Sequence, residues 1–354
     1  MPPVEAPARP AEVPAGAAAL VPPRIVALGG GTGLPVLLRG LRALAPAVDG
    51  EPSPVDRERL TAIVTVADDG GSSGRLRRAY GILAPGDIRN CLLALSEDAG
   101  TLAGLFEYRF NGDGEMSGHS LGNLILAALS QIESGFASAV ERAGDMLGVS
   151  GRVLPATGAA VALEAEFEDG SRIEGESRIA SRGRRIRRVR LRPEGVPALP
   201  QTLHAIAAAD CIVIGPGSLY TSLIPVLLAR GLTEAVAASR ARVVLAMNLM
   251  TEPGETDGHT AEDHLLALRA HAPGLRVHDV ILNLAPLAEP VRRRYAAEGA
   301  HALRVDPDLL EALGARIHVT DLLAPGPRVR HDAVKLARAI LDVVAGRPCE
   351  GGWA

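Results

Sequence analysis

Apolar residues along this chain follow two rhythms. Short continuous runs rich in β-branched residues alternate with longer stretches in which leucine and alanine recur every three or four positions. The runs Arg24 to Leu28, Leu60 to Ala67, Cys211 to Ile214, Arg242 to Asn248, His278 to Leu284 and Arg316 to Thr320 have the length and composition of buried strands. Leu34, Leu37, Leu38, Leu41 and Leu44 follow the first run at helical spacing. Ile88, Cys91, Leu92 and Leu95 do the same behind Pro85-Gly86-Asp87, with Arg89 and Asn90 near the helix start, where a ligand could be met. A further helix carries Leu124, Ile125, Ala128, Leu129 and Ile132 behind His119-Ser120-Leu121-Gly122-Asn123. The alternation predicts an α/β fold: a Rossmann-like, doubly wound, mostly parallel sheet with one cleft along its C-terminal edge.

The pattern changes between Arg152 and Arg192. Val161 to Phe167 and Arg172 to Ile179 alternate apolar and polar residues around Glu168-Asp169-Gly170-Ser171, which predicts a hairpin with an Asp-Gly turn. Ile186, Val189 and Leu191 add a further strand. The expectation is an antiparallel β insertion at 152–194 within one domain at 23–346. Arg182, Arg184, Arg185, Arg187, Arg188, Arg190 and Arg192 make the insertion basic. Glu164, Glu166, Glu168, Asp169, Glu174 and Glu176 offset much of that charge, so it reads as a solvated face and not as a nucleic-acid surface. Residues 1–22, almost all Pro, Ala, Val, Glu and Gly, predict a disordered tail. Residues 45–58 predict a surface loop and 347–354 a flexible C-terminus.

Chemistry gathers at the ends of the predicted strands. Gly29-Gly30-Gly31-Thr32-Gly33 closes the first run and opens a helix with Pro35 in its first turn. Glycines admit a phosphate close to the backbone, and a helix start offers free N–H groups. Leu34 stands where a G-x-G-x-x-G would have its last glycine, and no Gly-Lys-Ser/Thr follows, so neither standard phosphate-loop pattern is complete. The second run ends in Asp68-Asp69-Gly70-Gly71-Ser72-Ser73-Gly74-Arg75, with carboxylates able to meet a ribose or a divalent cation and with N–H and hydroxyl donors for phosphate. Gly215-Pro216-Gly217-Ser218 repeats the first arrangement: strand, glycine turn, helix. His119 reads as a structural cap, since neither a carboxylate nor a nucleophile is visibly paired with it. His259 and His264 have H-x₄-H spacing, unlike a helical zinc pair, and Thr260 with Glu262 and Asp263 reads as an acidic helix start.

Composition narrows the field. The chain has 354 residues and is 47% hydrophobic, enough for a sizeable core. Aromatic residues are only 3% and the net charge is −4, which argue against a single-strand stacking platform and against a global field for polyanions. Cys91, Cys211 and Cys349 form no CxxC pair, as expected of reduced thiols in a cytoplasmic protein. No apolar run reaches the roughly 18 residues of a membrane span, and the start lacks a basic-then-apolar signal. Lys335 is the only lysine and lies in no P-loop or Schiff-base motif, which favours forked arginine contacts over lysine point charges for anions.

The ordered set Gly29 to Leu34, Thr65 to Arg75, Pro85 to Asn90, Gly118 to Asn123, Gly215 to Thr221 and Asn248 to Thr251 resembles the YvcK-type gluconeogenesis factors. These fall within the superfamily of 2-phospho-L-lactate transferase (CofD), and the likeness covers roughly residues 24 to 345. The resemblance implies binding of UDP-N-acetylglucosamine or a related nucleotide sugar, a homodimer, and a role in cell shape and wall synthesis during gluconeogenic growth. It also implies a protein partner that reads the bound state. Carried over residue by residue, Gly29, Gly30, Gly31, Thr32 and Gly33 meet the diphosphate. Asp68, Asp69, Ser72 and Ser73 face the cleft, while Gly215, Gly217, Ser218 and Asn248 line its other side. Tyr295 stacks on uracil or the sugar, and Arg330 pairs with a phosphate. Val226 and His259 depart from the family pattern, where asparagine and an aromatic residue are usual.

Two functions follow from the resemblance. One is a nucleotide-sugar-binding regulator that needs no cofactor. The alternative is a transferase with Mg²⁺ on Asp68 or Asp69, moving a phospholactyl group from a guanylyl carrier to a deazaflavin. The scarcity of aromatics disfavours a seat for a flat deazaflavin, and the broken G-x-G-x-x-G disfavours an NAD-dependent oxidoreductase.

Overall fold

The apolar runs that end in glycine and polar residues become parallel strands of one sheet. A computed structural model of the chain describes residues 21–45, 55–97, 100–283 and 285–347. Strand β1 (Ile25–Gly29) pairs with β2 (Leu60–Val64) on one side, and β3 (Arg152–Pro155) lies beyond β2. Two strands from one inserted hairpin region, β4 (Ala162–Phe167) and β5 (Arg172–Glu174), join β6 (Ile186–Arg192) in a separate antiparallel sheet. The chain then returns to the other side of β1 with β7 (Cys211–Ile214), followed outward by β8 (Arg242–Ala246), β9 (Asp279–Asn283) and β10 (Arg316–Thr320). The seven-stranded order is β10-β9-β8-β7-β1-β2-β3, so the direction of winding switches between β1 and β7. In an open parallel sheet, the crevice at the strand ends beside such a switch is where ligands bind. Strands β1, β2 and β7 are buried along their whole length, as expected where helices cover both faces.

The insertion begins later than the expected 152–194. Arg152–Pro155 is the edge strand of the main sheet, parallel to β2, and the three-stranded antiparallel sheet starts at Ala162. At this rim of the sheet the two faces are covered unequally, so exposed Arg152 beside buried Val153 gives the alternation of a half-exposed hairpin strand. The predicted hairpin is present, with Gly170 at φ +78° in its turn. Its arginines are matched across the strands: Glu166 meets Arg172, Arg187 and Arg190, and Glu164 meets Arg192. The predicted tail at 1–22 falls almost wholly outside the described residues, as do most of the 45–58 loop and of the C-terminal segment.

Two packing features fix the frame of the cleft. The helix Gly33–Ala43 and the last helix, Ala333–Val344, touch at backbone distance, since a Cβ on Gly40 would lie 1.8 Å from the Ala333 carbonyl oxygen. At the opposite end of the sheet, fully buried Asp279 accepts from Arg242 at 2.6 Å and from His318 at 2.8 Å, with Arg316 at 3.3 Å. Asp279 therefore ties together the starts of β8, β9 and β10.

Burial alone would raise the pKa of Asp279, but its bonds to Arg242 and His318 override that and hold it below the usual carboxylate range. Its stabilisation is thus complete at neutral pH and is lost as pH falls through the depressed value. Asp279→Asn should cost about 1.5–3 kcal/mol, the worth of a charge-assisted hydrogen bond. Thermal melts at neutral and acid pH check this. The melting temperature should drop at neutral pH and the gap to the parent should narrow in acid; an unchanged melting temperature would remove Asp279 from the account.

Candidate functional site: a cleft at the switch point

The turns after β1 and β7 are built against each other. Gly33 has no room for a side chain, because a Cβ would lie 2.2 Å from the Pro216 carbonyl oxygen. Gly30 is confined by Thr65 and Asp87, at 2.5 and 2.7 Å from the same hypothetical atom. Gly31 adopts φ +60°, and its N–H donates to Asp87 Oδ2 at 2.7 Å. Across the crevice, Asn248 at the end of β8 clamps Gly217: it accepts from the Gly217 N–H at 3.2 Å and donates to its carbonyl at 2.9 Å. Buried Glu255 secures the next turn by accepting from the Tyr220 N–H, the Thr221 N–H and the Thr221 hydroxyl. Gly29 and Gly215 sit in the buried strand ends beneath the turns.

Between the turns lies a cleft of about 420 Å³ whose wall includes Thr32, Gly33, Gly217, Ser218, Asn248, Tyr295 and Arg330. Arg330 is exposed and forms no salt bridge among the described residues. Its neighbours hold it there. His331 Nε2 lies 3.1 Å from the Met247 carbonyl, and burial pushes the imidazole down to about 4, so it is neutral and donates. Asp332 accepts from the Val334 and Lys335 N–H groups and caps the last helix. Tyr295 Oη accepts from the Val329 N–H at 3.0 Å, one residue before Arg330, while the Arg294 guanidinium stacks 5.1 Å from the Tyr295 ring centroid. Tyr295 therefore positions the Arg330 loop as well as lining the cleft. The departures Val226 and His259 lie outside this wall: Val226 is fully buried, and His259 meets the Tyr220 hydroxyl at 3.3 Å.

The Asp68 to Ser73 segment opens on a neighbouring hollow instead. Asp68, Ser72 and Ser73 line a polar space of about 200 Å³ with Asp87 and Arg89. Asp69 turns away and accepts from the Ser177 N–H of the insertion at 2.9 Å. Asp68 Oδ1 accepts from the Gly70 N–H at 2.8 Å. The two carboxylates do not converge on one cation, and among the described residues no group of three or more His, Cys, Asp or Glu side chains is arranged to hold a metal. His119 Nδ1 lies 3.0 Å from Ser72 Oγ, which also receives the Asn123 side-chain amide, so it orients the start of the Gly71–Tyr80 helix.

Sequence reasoning missed Asp87 and Glu176. Asp87 is pushed up to about 6 by burial, in part offset by the Gly31 N–H and raised further by Asp68. Glu176, read as part of a solvated basic sheet, is half-buried. It is pushed up to about 8, first by burial and then by Asp68, Asp87, Asp69 and Glu255. The insertion brings it there through two backbone approaches: Gly175 packs on Asp69, and Gly254 on the Ala180 carbonyl. The Gly175 and Gly254 signals were legible as glycines only; their partners lie far away along the chain.

A Rossmann-like sheet with glycine turns at its switch point, and this residue set around them, defines the class. The chain matches the family described as 2-phospho-L-lactate transferase CofD over residues 25–323 and belongs to that family. Within it, the chain is 46% identical to the gluconeogenesis factor of Halalkalibacterium halodurans, over 92% of this chain and 96% of that protein. It is 45% identical to the gluconeogenesis factor of Bacillus subtilis, over 91% of this chain and 98% of that protein. A crystal structure of a Bacillus halodurans protein, 46% identical, superposes with a TM-score of 0.85 and covers 91% of this chain and 100% of that one. Among the described residues, no helix is long and apolar enough to cross a membrane.

The raised Glu176 value makes a pH prediction. A carboxyl whose folded-state pKa is raised stabilises the fold at low pH, and that contribution is lost as pH climbs through about 8. Glu176→Gln should therefore melt above the parent near about pH 9, with the gap closing near about pH 5. A gap independent of pH would put the Glu176 carboxyl in bulk water.

Proposed function

We propose that this chain is a nucleotide-sugar-binding regulator that takes UDP-N-acetylglucosamine, or a related nucleotide sugar, in the cleft at the switch point. The observation that carries this reading is Arg330: a guanidinium in the cleft wall with no ion pair among the described residues, held beside two glycine turns. Backbone amides of Thr32, Gly33 and Ser218, with the Thr32 and Ser218 hydroxyls, suit the oxygens of a diphosphate, while Gly31 and Gly217 are fixed by Asp87 and Asn248. Arg330 adds a charge-assisted fork from the opposite wall. Tyr295 and the clamp of Asn248 on Gly217 hold the two sides in register.

The relatives' name, gluconeogenesis factor, supports a role in growth on gluconeogenic carbon sources. In this reading the occupied cleft is a signal, read by a protein partner in cell-wall synthesis and shaping the cell, and the protein acts as a cytoplasmic homodimer. The alternative, a Mg²⁺-dependent transferase like the one for which the family model is described, asks for a cation at Asp68 or Asp69. Those carboxylates are engaged with Gly70 and Ser177 on different sides of their loop, so the binding reading is preferred.

Arg330→Ala tests the proposal by calorimetric titration with UDP-N-acetylglucosamine alongside a thermal melt. Loss of one charge-assisted contact, about 1.5–3 kcal/mol, should weaken affinity roughly ten- to a hundredfold and leave the melting temperature unchanged. Unchanged affinity would sink the assignment of Arg330 to the ligand.

A further inference from the structure

A cleft suited to a diphosphate has reason to exclude carboxylates, yet two line this one. Glu252 and Glu298 stand in its wall with Tyr295 and Arg330. They come from segments that pair with each other. The Thr251 N–H donates to the His301 carbonyl at 2.8 Å, the His301 N–H donates to the Thr251 hydroxyl at 2.9 Å, and Gly299 packs against Pro253. Both carboxylates therefore belong to one side of the cleft. Glu252 is also fixed in place. Its N–H donates to the hydroxyl of fully buried Thr256 at 2.8 Å, and its carbonyl accepts from the Glu255 and Thr256 N–H groups. Its carboxyl accepts from the Ser218 hydroxyl, and among the described residues neither Glu252 nor Glu298 forms a salt bridge. Burial raises the Glu252 pKa, and the bond from Ser218 offsets only part of that. A further negative charge beside Glu252 would meet repulsion with little water to screen it.

We propose that Glu252, with Glu298 beside it, seats the uncharged, hydroxyl-rich sugar of the ligand and selects neutral nucleotide sugars against those that carry an acid group. The inference rests on the assignment of the cleft to a nucleotide sugar. An ionised carboxylate only accepts hydrogen bonds, so the part of the ligand against this wall must donate them. A hexose offers several hydroxyl donors. Uracil offers one N–H between two carbonyl acceptors and fits less well there. The Ser218 hydroxyl has a single proton, shared between Glu252 and any phosphate oxygen at the glycine turn. When it turns to the phosphate, the Glu252 carboxylate is left to accept from a sugar hydroxyl. The amides and Arg330 thus take the diphosphate, and the carboxylates meet the group attached to it. Selectivity at this end comes from repulsion of the wrong ligand as well as from fit to the right one.

The test is calorimetric titration of the full-length protein with UDP-N-acetylglucosamine and with the corresponding uronic acid, which differs only in a carboxylate at C6 of the sugar. The parent should bind the acid roughly tenfold or more weakly than the neutral sugar. Glu252→Gln keeps the size of the side chain and removes its charge, so the ratio of the two affinities should fall to about twofold or less. Glu298→Gln should narrow the ratio in the same direction. Glu298 is exposed, so its variant reads this end of the cleft even where Glu252→Gln fails to fold. A merely structural role for Glu252 would lower both affinities together and leave their ratio alone. Equal affinity of the parent for the two sugars, or a preference that both variants retain, overturns the inference and leaves the nucleotide-sugar reading standing. Failure of the parent to bind either sugar overturns that reading and this inference with it.

Discussion

The close approach of two backbone turns governs the rest of this structure. Gly33 and the Pro216 carbonyl come so near that any side chain at 33 would separate them. That contact joins the ends of β1 and β7, which are adjacent in the sheet but far apart in sequence. Once it is made, amide groups from both turns edge the same cleft, and the remaining parts hold it in place. Asn248 fixes Gly217 from β8, Glu255 secures the following turn, and the helix packing at Gly40 brings the final helix alongside the first. The loop that precedes that final helix then carries Arg330 into the cleft wall.

Electrostatics divides the neighbourhood into two halves. The cleft itself offers amides, hydroxyls and one arginine, with Glu252 and Glu298 as the carboxylates of its wall. Behind the first glycine turn, burial and the Asp68 charge raise the proton affinity of Asp87, and burial with Asp68 and Asp87 raises that of Glu176. An anion bound in front of them keeps Asp87 and Glu176 protonated more strongly, so ligand binding and proton uptake are linked in sign. The insertion matters here for what it places and not for its own basic face. Arg172, Arg187, Arg190 and Arg192 pair with Glu166 and Glu164, while its short turn at Glu176 reaches the acidic group.

Much of this was legible in the sequence, and the limits have a physical pattern. The strand runs, the glycine turns and the Asp-Gly hairpin depend on local conformational preference and periodicity, so Ile25–Gly29, Cys211–Ile214 and the turn at Gly170 appear as expected. Edge strand β3 was misassigned to the insertion because a half-exposed strand looks the same in a parallel edge as in a hairpin. The resemblance brought Thr32, Gly217, Ser218, Asn248, Tyr295 and Arg330 to one place, and the structure puts them around one cleft. Asp68, Ser72 and Ser73 went to the adjoining hollow, and Asp69 to the insertion. The setting of Glu176 depends on which distant residues pack nearby, and no local pattern encodes that.

The central claim is that the turns after β1 and β7 act with the Arg330 loop as one ligand site. Hydrogen–deuterium exchange with and without UDP-N-acetylglucosamine tests it most directly, because it reads all three segments in one experiment. The account predicts slowed exchange on ligand addition at 29–33, 215–218 and 327–331 together. Protection confined to one of these segments, or found only elsewhere at saturating ligand, would contradict it.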